Sequence, residues 1–270
     1  MIRRPPRSTQ GVSSAASDVY KRQVLYSVSE SIATITLNRP HRLNAINPEL
    51  LSDFKSALDQ ANADGDVQVI ILCGAGRAFC AGDDLKEFDQ QVRNPIETRA
   101  YIERIQDITR GLCLNDKMVV GAIHGWAVGG GLEWVINCDF VVMAQSCRFF
   151  FSEISLGVFV TGGVTRLLVE QIGLQNARKM ILLGERYSAG DAVELGFSWQ
   201  IAGDDEVTSL ARSLAQQIAV LPAGPVKNLK QALRESPTAN LESAMALETQ
   251  ATLEGFLDPL SADRVRNRLS

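Results

Sequence analysis

Two glutamates stand in a stretch of chain that otherwise avoids charge. Residues 118–160 hold only four Asp, Glu, Lys or Arg side chains, and two of them are Glu133 and Glu153. Glu133 lies in Gly129-Gly-Gly-Leu-Glu-Trp-Val-Ile-Asn-Cys138, and Glu153 in Arg148-Phe-Phe-Phe-Ser-Glu-Ile-Ser-Leu-Gly157. Burying a lone carboxylate costs several kcal/mol unless it is paired, hydrogen-bonded or protonated. Two readings stay open at this point. In one, the pair has raised or split pKa values suited to acid/base chemistry. In the other, the carboxylates cap helices or meet Arg148 and Arg166, since structural networks also perturb titration.

The glycines nearby bear on that choice. Gly129-Gly130-Gly131 follows a predicted buried strand and opens a predicted helix, an arrangement that exposes backbone N–H groups at a positive helix end. A second strand-to-loop segment, Gly74-Ala-Gly-Arg-Ala-Phe-Cys-Ala-Gly-Asp-Asp-Leu85, could supply another exposed N–H. Two such donors facing one carbonyl oxygen would make an oxyanion hole. Three glycines also serve a tight turn or close packing. The GxGxxG dinucleotide fingerprint and the GxxxxGK[ST] phosphate loop are both absent from the sequence, which argues against a nicotinamide oxidoreductase.

The elements that must hold these residues read as α/β. Ile32–Leu37 alternates and is rich in β-branched residues, so it reads as a strand. Asn47-Pro48 opens a helix to about Ala63, with Asn as the cap and Pro at the first position. Val67–Cys73 and Met118–Ile123 are short apolar runs, read as buried strands. Residues 96–114 carry helical spacing. Gly129–Asn137 reads as a helix, and Phe140–Met143 and Arg148–Phe151 as strands. After residue 160 the pattern is mostly helical, broken at Gly173, Gly184 and Gly196. Helices are predicted over 204–221, 225–235 and 239–256. Alternating strands and helices suggest an α/β core over 24–203 with a helical region over 204–270.

The chain is 270 residues long, 46% hydrophobic and 21% charged, with a net charge of −4. The first 23 residues carry five basic side chains against Asp18, so the remainder is net −8. An acidic body argues against general nucleic-acid binding. The head, rich in Arg, Ser and Pro, is set aside from fold reasoning. It reads as a mitochondrial transit peptide, a disordered tail, or a translated adapter-like sequence foreign to the domain. Five cysteines without a CxxC pair point to a reducing compartment. The expected location is cytoplasmic, or the mitochondrial matrix if the head is a transit peptide. No zinc site can be assembled from those spacings with two histidines, and no metal is expected. The apolar 118–160 run is interrupted by charge and glycine, so it reads as core rather than as a membrane span. Trp126, Trp134 and His124 read as packing or hydrogen-bonding residues. Tyr101, Trp199 and Phe256 are further aromatic candidates for lining a ligand site.

Taken in order, the motifs resemble the enoyl-CoA hydratase/isomerase (crotonase) family over roughly residues 24–268. The carriers are Leu37-Asn-Arg-Pro-His-Arg-Leu-Asn-Ala45, Arg77-Ala-Phe-Cys-Ala-Gly-Asp-Asp-Leu-Lys86 and His124-Gly-Trp-Ala-Val-Gly-Gly-Gly-Leu-Glu133. Asn137-Cys-Asp139, Ser152-Glu-Ile-Ser-Leu-Gly157, Gly162-Gly163 and Gly184-Glu-Arg-Tyr-Ser-Ala-Gly-Asp-Ala-Val-Glu-Leu-Gly196 follow. The resemblance implies a spiral of ββα units ending in helices that pack across subunits, in a homotrimer or homohexamer. It implies an acyl-CoA thioester substrate and no separate cofactor, coenzyme A being part of the substrate. By position, the oxyanion hole falls on the N–H groups of Asp83 and Gly130, and the hydratase glutamates on Glu133 and Glu153. Both glutamates would hold one water, with Glu153 giving a proton to Cα and Glu133 acting as base. Coenzyme A would meet Arg42, Leu43 and Ala45, and Ala81, Asp84 and Leu85.

The implied activity is hydration or dehydration of an enoyl-CoA. A double-bond isomerase or another acyl-CoA enzyme of the family is the alternative, and a non-catalytic RNA-binding or scaffold relative is a further one. Three departures fall near the acyl pocket. Asp83 stands where the family often has Ala or Gly. Ser152 replaces a common Pro, and Val160-Thr161 a usual Pro-Gly.

Overall fold

The computed structural model describes residues 22–87, 94–238, 240–258 and 260–261, so nearly all of the head lies outside the described residues. The chain opens with a hairpin of β1 (Val24–Ser29) and β2 (Ile32–Leu37), paired antiparallel. Helix α1 (Pro48–Ala63) begins where the sequence predicts: Asn47 Oδ1 accepts from Leu50 N at 2.9 Å, and Pro48 needs no N–H partner in the first turn. The helix buries Leu50, Leu51, Phe54, Ala57, Leu58 and Ala61. Burying a side chain as large as Phe54 contributes roughly 1.5–3 kcal/mol. Its ring meets Trp134 edge-on at 5.0 Å.

β3 (Val69–Gly74) starts two residues later than the apolar run suggests, because Gln68 bonds back to Ser31 ahead of the ladder. Then come α2 (Pro95–Cys113), β4 (Met118–Ile123), β5 (Trp126–Val128) and α3 (Gly130–Ile136). β6 (Phe140–Ala144) and β7 (Arg148–Phe150) are followed by α4 (Val164–Ile172), α5 (Leu174–Leu183) and β8 (Tyr187–Ser188). α6 (Ala189–Leu195), β9 (Gln200–Ala202), α7 (Val207–Ala219), α8 (Ala223–Glu235) and α9 (Leu241–Leu257) close the order.

The strands form two layers. The larger sheet has the order β1-β2-β3-β4-β6-β9, parallel from β2 onward, and the smaller one is β5-β7-β8. Successive turns of chain place one strand in each sheet, as β4 then β5 and β6 then β7, which is the expected ββα spiral. Isolated bridges Ile46–Asp83 and Cys80–Ala127 continue the second layer back toward the N-terminal loops. β5 and β8 are too short for sequence periodicity to show them. The parallel strands β3 and β4 are buried almost end to end, as strands covered on both faces must be.

α7 lays Val207, Ala211, Leu214 and Ala215 into the central core. α8 is fastened by Lys230, a buried lysine whose Nζ donates to Leu112 O at 3.1 Å, Lys117 O at 2.7 Å and Asp139 Oδ2 at 2.7 Å. No helix among the described residues is long and apolar enough to cross a membrane.

Candidate active site

The second layer carries a cavity of about 590 Å³. Its wall includes Leu43, Ala81, Asp83, Leu85, Gly129 and Glu153. Two loops meet there. Gly82 has φ +82° and lies so close to the β5 loop that a Cβ would stand 3.0 Å from Val128 O and 3.9 Å from Gly129 Cα. Any side chain at 82 would push the loops apart, and the positive φ independently favours glycine.

That contact brings the Asp83 loop against the loop that leads into α3. Ile46 N–H donates to Gly82 O at 2.8 Å and Asp84 N–H to Ile46 O at 2.9 Å. In such a bridge the intervening N–H, that of Asp83, points away from Ile46. Gly130 N–H is the first of α3, one of the donors a helix cannot satisfy internally. Among the described residues neither N–H has an acceptor.

Glu153 follows β7 and opens a short 3-10 turn, Ile154–Leu156. It is buried, yet it lies on the cavity wall. Oε2 accepts from Ser152 N at 2.8 Å. Burial pushes its pKa up to about 7, aided by the negative charges of Glu133 and Asp83 and opposed by the N–H groups of Glu153 itself and Ser152. A carboxyl that titrates near neutrality can hold or release a proton at little cost.

Glu133 lies behind this wall, near enough for its charge to raise the Glu153 pKa. It sits in the first turn of α3, 1% exposed, and is not part of the cavity wall. Oε1 accepts from Thr161 N at 2.8 Å; Oε2 accepts from Thr161 Oγ1 at 3.0 Å and Gly162 N at 2.7 Å. Burial raises its pKa against these three donors. The loop is moulded to it, since a Cβ on Gly162 would stand 2.7 Å from Oε2. The structure therefore brings one of the two sequence-selected glutamates to the cavity and ties the other to the 161–162 turn. The Val160-Thr161 departure supplies the hydroxyl that helps tie it.

Asp83, expected to lend its N–H and noted as a departure from Ala or Gly, also brings a carboxylate to the site. Its carboxylate is on the wall, with Oδ1 accepting from Tyr101 Oη of α2 at 2.7 Å. Burial raises its pKa, and the Tyr101 hydroxyl opposes the rise. Oδ2 has no partner among the described residues.

Of the residues expected to meet coenzyme A, Leu43, Ala81 and Leu85 line this cavity. Arg42, Ala45 and Asp84 do not. Ala45 is buried. Asp84 is buried beside Arg39, whose Nη1 lies 2.7 Å from Oδ2. Burial alone would raise its pKa, but the Arg39 hydrogen bond and charge hold it below the usual carboxylate range. Arg42 lines a neighbouring polar groove with Arg22, Arg39, His41 and Lys86.

Trp126, read as packing, lines the cavity, beside Val128, Phe150, Leu156, Val158 and Arg186. The Arg186 guanidinium lies 5.5 Å from the Trp126 ring and 5.7 Å from that of Phe150. No sequence signal singled out Arg186; Phe150 was visible only as part of an aromatic run. Trp134 is buried, and His124 Nε2 bonds Gly76 O at 2.8 Å. Trp199 is exposed and stacks edge-on with Phe140, away from the cavity. The side chain of Phe256 lies outside the described residues.

Comparison with known proteins agrees with the geometry. The enoyl-CoA hydratase/isomerase family model matches residues 27–258. The 1,2-epoxyphenylacetyl-CoA isomerase of Escherichia coli K12 is 33% identical over 83% of this chain and 87% of its own. The short-chain-enoyl-CoA hydratase of Clostridium acetobutylicum is 30% identical over 83% of this chain and 86% of its own. The crystal structure of an enoyl-CoA hydratase from Mycobacterium smegmatis superposes with a TM-score of 0.85 at 27% identity, covering 92% of this chain and 96% of that one. With a matching family model over most of its length and a matching fold, the chain belongs to the enoyl-CoA hydratase/isomerase family.

Proposed function

We propose that the protein adds water across the Cα=Cβ bond of an enoyl-CoA thioester, or removes it in reverse. The observation that carries this reading is one carboxyl, Glu153, on a cavity wall shared with Asp83 and with Gly129, which precedes Gly130. Hydration builds negative charge on the thioester oxygen, and in this reading the N–H groups of Asp83 and Gly130 receive it. Losing one such donor typically costs about 3–4 kcal/mol of transition-state stabilisation. Glu153, poised near neutrality, supplies the proton for Cα.

The apolar wall of Trp126, Val128, Phe150, Leu156 and Val158 suits the acyl group. In the neighbouring groove, which Glu49 and Glu87 also line, Arg22, Arg42 and Lys86 are the cations that suit the phosphates of coenzyme A. Exposed apolar side chains on α8 and α9, including Leu229, Leu233, Leu241 and Met245, support packing against further copies of the chain. A trimer or a pair of trimers is the assembly we propose.

One observation favours a second reading. With Glu133 held by Thr161 and Gly162, Glu153 is the glutamate on the cavity, and a single carboxyl suffices to shuttle a proton between carbons in double-bond isomerisation. Incubation with a panel of enoyl-CoA esters and mass analysis separates the two. A gain of one water supports hydration; a shifted double bond at unchanged mass supports isomerisation.

A further inference from the structure

Among the polar side chains on the cavity wall are Asp83, Glu153 and Arg186. Glu153 is the acid of the reading above. The Arg186 guanidinium rests on the rings of Trp126 and Phe150. Asp83 is different: the reaction as read uses its N–H and asks nothing of its carboxylate.

That carboxylate is both held and incomplete. Tyr101 Oη of α2 donates to Oδ1 at 2.7 Å, which fixes the side chain. Oδ2 has no donor among the described residues. Burial raises the Asp83 pKa, and the Tyr101 hydroxyl is what opposes the rise. A carboxylate oxygen shut away from water without a donor is costly. In an open cavity solvent meets that need; a bound acyl chain excludes solvent and must meet it instead. Reach says which part of the chain. In the reading above the Asp83 N–H holds the thioester oxygen, and an aspartate side chain is short. Its carboxylate therefore lies beside the first carbons of the acyl chain rather than at the far end.

We propose that Asp83 Oδ2 selects the substrate: the protein takes enoyl-CoA thioesters whose acyl chain carries a hydroxyl close to the double bond and disfavours plain alkyl chains, with Tyr101 positioning Asp83. The inference rests on the hydratase reading and leaves the proton transfers to the two glutamates. A hydroxyl on Cγ donates to Oδ2 and takes the place of the water it displaces. A methyl at the same point strips that water and returns nothing, so the carboxylate faces an apolar surface. Sites built to hydrogen-bond a substrate hydroxyl reject the analogue that lacks it for this reason. Any residue at position 83 except proline provides the N–H; aspartate adds the choice of acyl group.

The esters 4-hydroxycrotonyl-CoA and trans-2-pentenoyl-CoA differ by a hydroxyl in place of a methyl on Cγ and are nearly equal in size. Loss of the enoyl absorbance follows the hydration of each, and mass analysis checks the gain of one water. Wild type is expected to favour the hydroxylated ester by roughly 10- to 100-fold in kcat/KM, the worth of one hydrogen bond to a charged acceptor. Asp83→Ala is expected to bring the ratio to within about threefold of unity. Tyr101→Phe, which leaves the carboxylate but frees it, is expected to fall between. Each ratio is read on one preparation, so a loss of folded protein cancels from it, and a merely structural role lowers both rates together. Asp83→Asn keeps the shape of the side chain and serves if Asp83→Ala does not fold; its neutral oxygen is expected to hold the ratio below about tenfold. A wild-type ratio near unity, or a ratio unchanged in the Asp83 variants, overturns the inference alone. Wild-type protein that adds water to neither ester overturns the hydratase reading, and the inference with it.

Discussion

Gly129 and Glu153 share a space that a single methyl group would fill: a Cβ at position 129 would overlap Oε1 of Glu153. Gly129 also has φ +52°, which disfavours any side chain. Gly129→Ala is therefore expected to act twice. The backbone strain costs about 1–3 kcal/mol of stability, and the displaced carboxyl costs roughly 10²-fold in kcat. Urea unfolding and steady-state hydration kinetics measure the two separately. Loss of stability alone, with kcat preserved, would break the link between this glycine and the acid.

Glu153 makes stability depend on pH in a direction opposite to most carboxyls. Its folded pKa, about 7, lies above the ordinary glutamate value of 4.5. Between those values the folded state holds a proton that the unfolded state has released. Stability from this group therefore falls as pH rises from 4.5 toward 7, by on the order of 3 kcal/mol. Glu153→Gln has no proton to lose. It is expected to match wild type near pH 4 and to be more stable above pH 7, while hydration is abolished. Denaturant titrations at both pH values test the crossing.

Tyr101→Phe removes the donor that holds Asp83 down. The groups facing Asp83 are Tyr101 from α2, Glu133 from α3, Glu153 after β7 and Cys80 on its own loop. Without the hydroxyl, burial acts unopposed, and the Asp83 pKa rises further. NMR titration of labelled aspartate should show the Asp83 carboxyl protonating at higher pH than in the wild type. An unchanged midpoint would mean that Tyr101 touches Asp83 only through packing.

Glu133→Gln tests the fastening of the 161–162 turn. An amide nitrogen in place of one oxygen faces donors with another donor. The unsatisfied group is expected to cost about 1–3 kcal/mol in urea unfolding. If stability is unchanged while hydration disappears, Glu133 works on the substrate after all.

How much of this was legible beforehand divides along a physical line. Local signals read true: Asn47-Pro48 started α1, and the apolar run at 118–123 was β4 residue for residue. Short strands such as Tyr187–Ser188 carry no periodicity and appear only through their pairing with β7. The glutamates were visible because charge in an apolar stretch demands a reason. What Glu133 bonds to depended on where Thr161 and Gly162 fold back, contacts between residues 28 and 29 positions apart. Arg186 at the cavity is likewise a product of tertiary placement.

Lys230→Met removes the buried half of a partly exposed ion pair and leaves Asp139 and two carbonyls without their ammonium. The expected loss is about 1–3 kcal/mol, read by urea unfolding. A loss below about 1 kcal/mol would mean that the pair is repaid by water.

The same lysine also has a place in time. Its bonds to Leu112, Lys117 and Asp139 close spans of 118, 113 and 91 residues. Contacts of such long separation form after local helices and neighbouring strands have already met. Interactions absent from the folding transition state act on the rate of unfolding and leave the rate of folding nearly untouched. Lys230, in fastening α8, is therefore expected to act as a brake on the opening of the completed sheet rather than as a seed for building it.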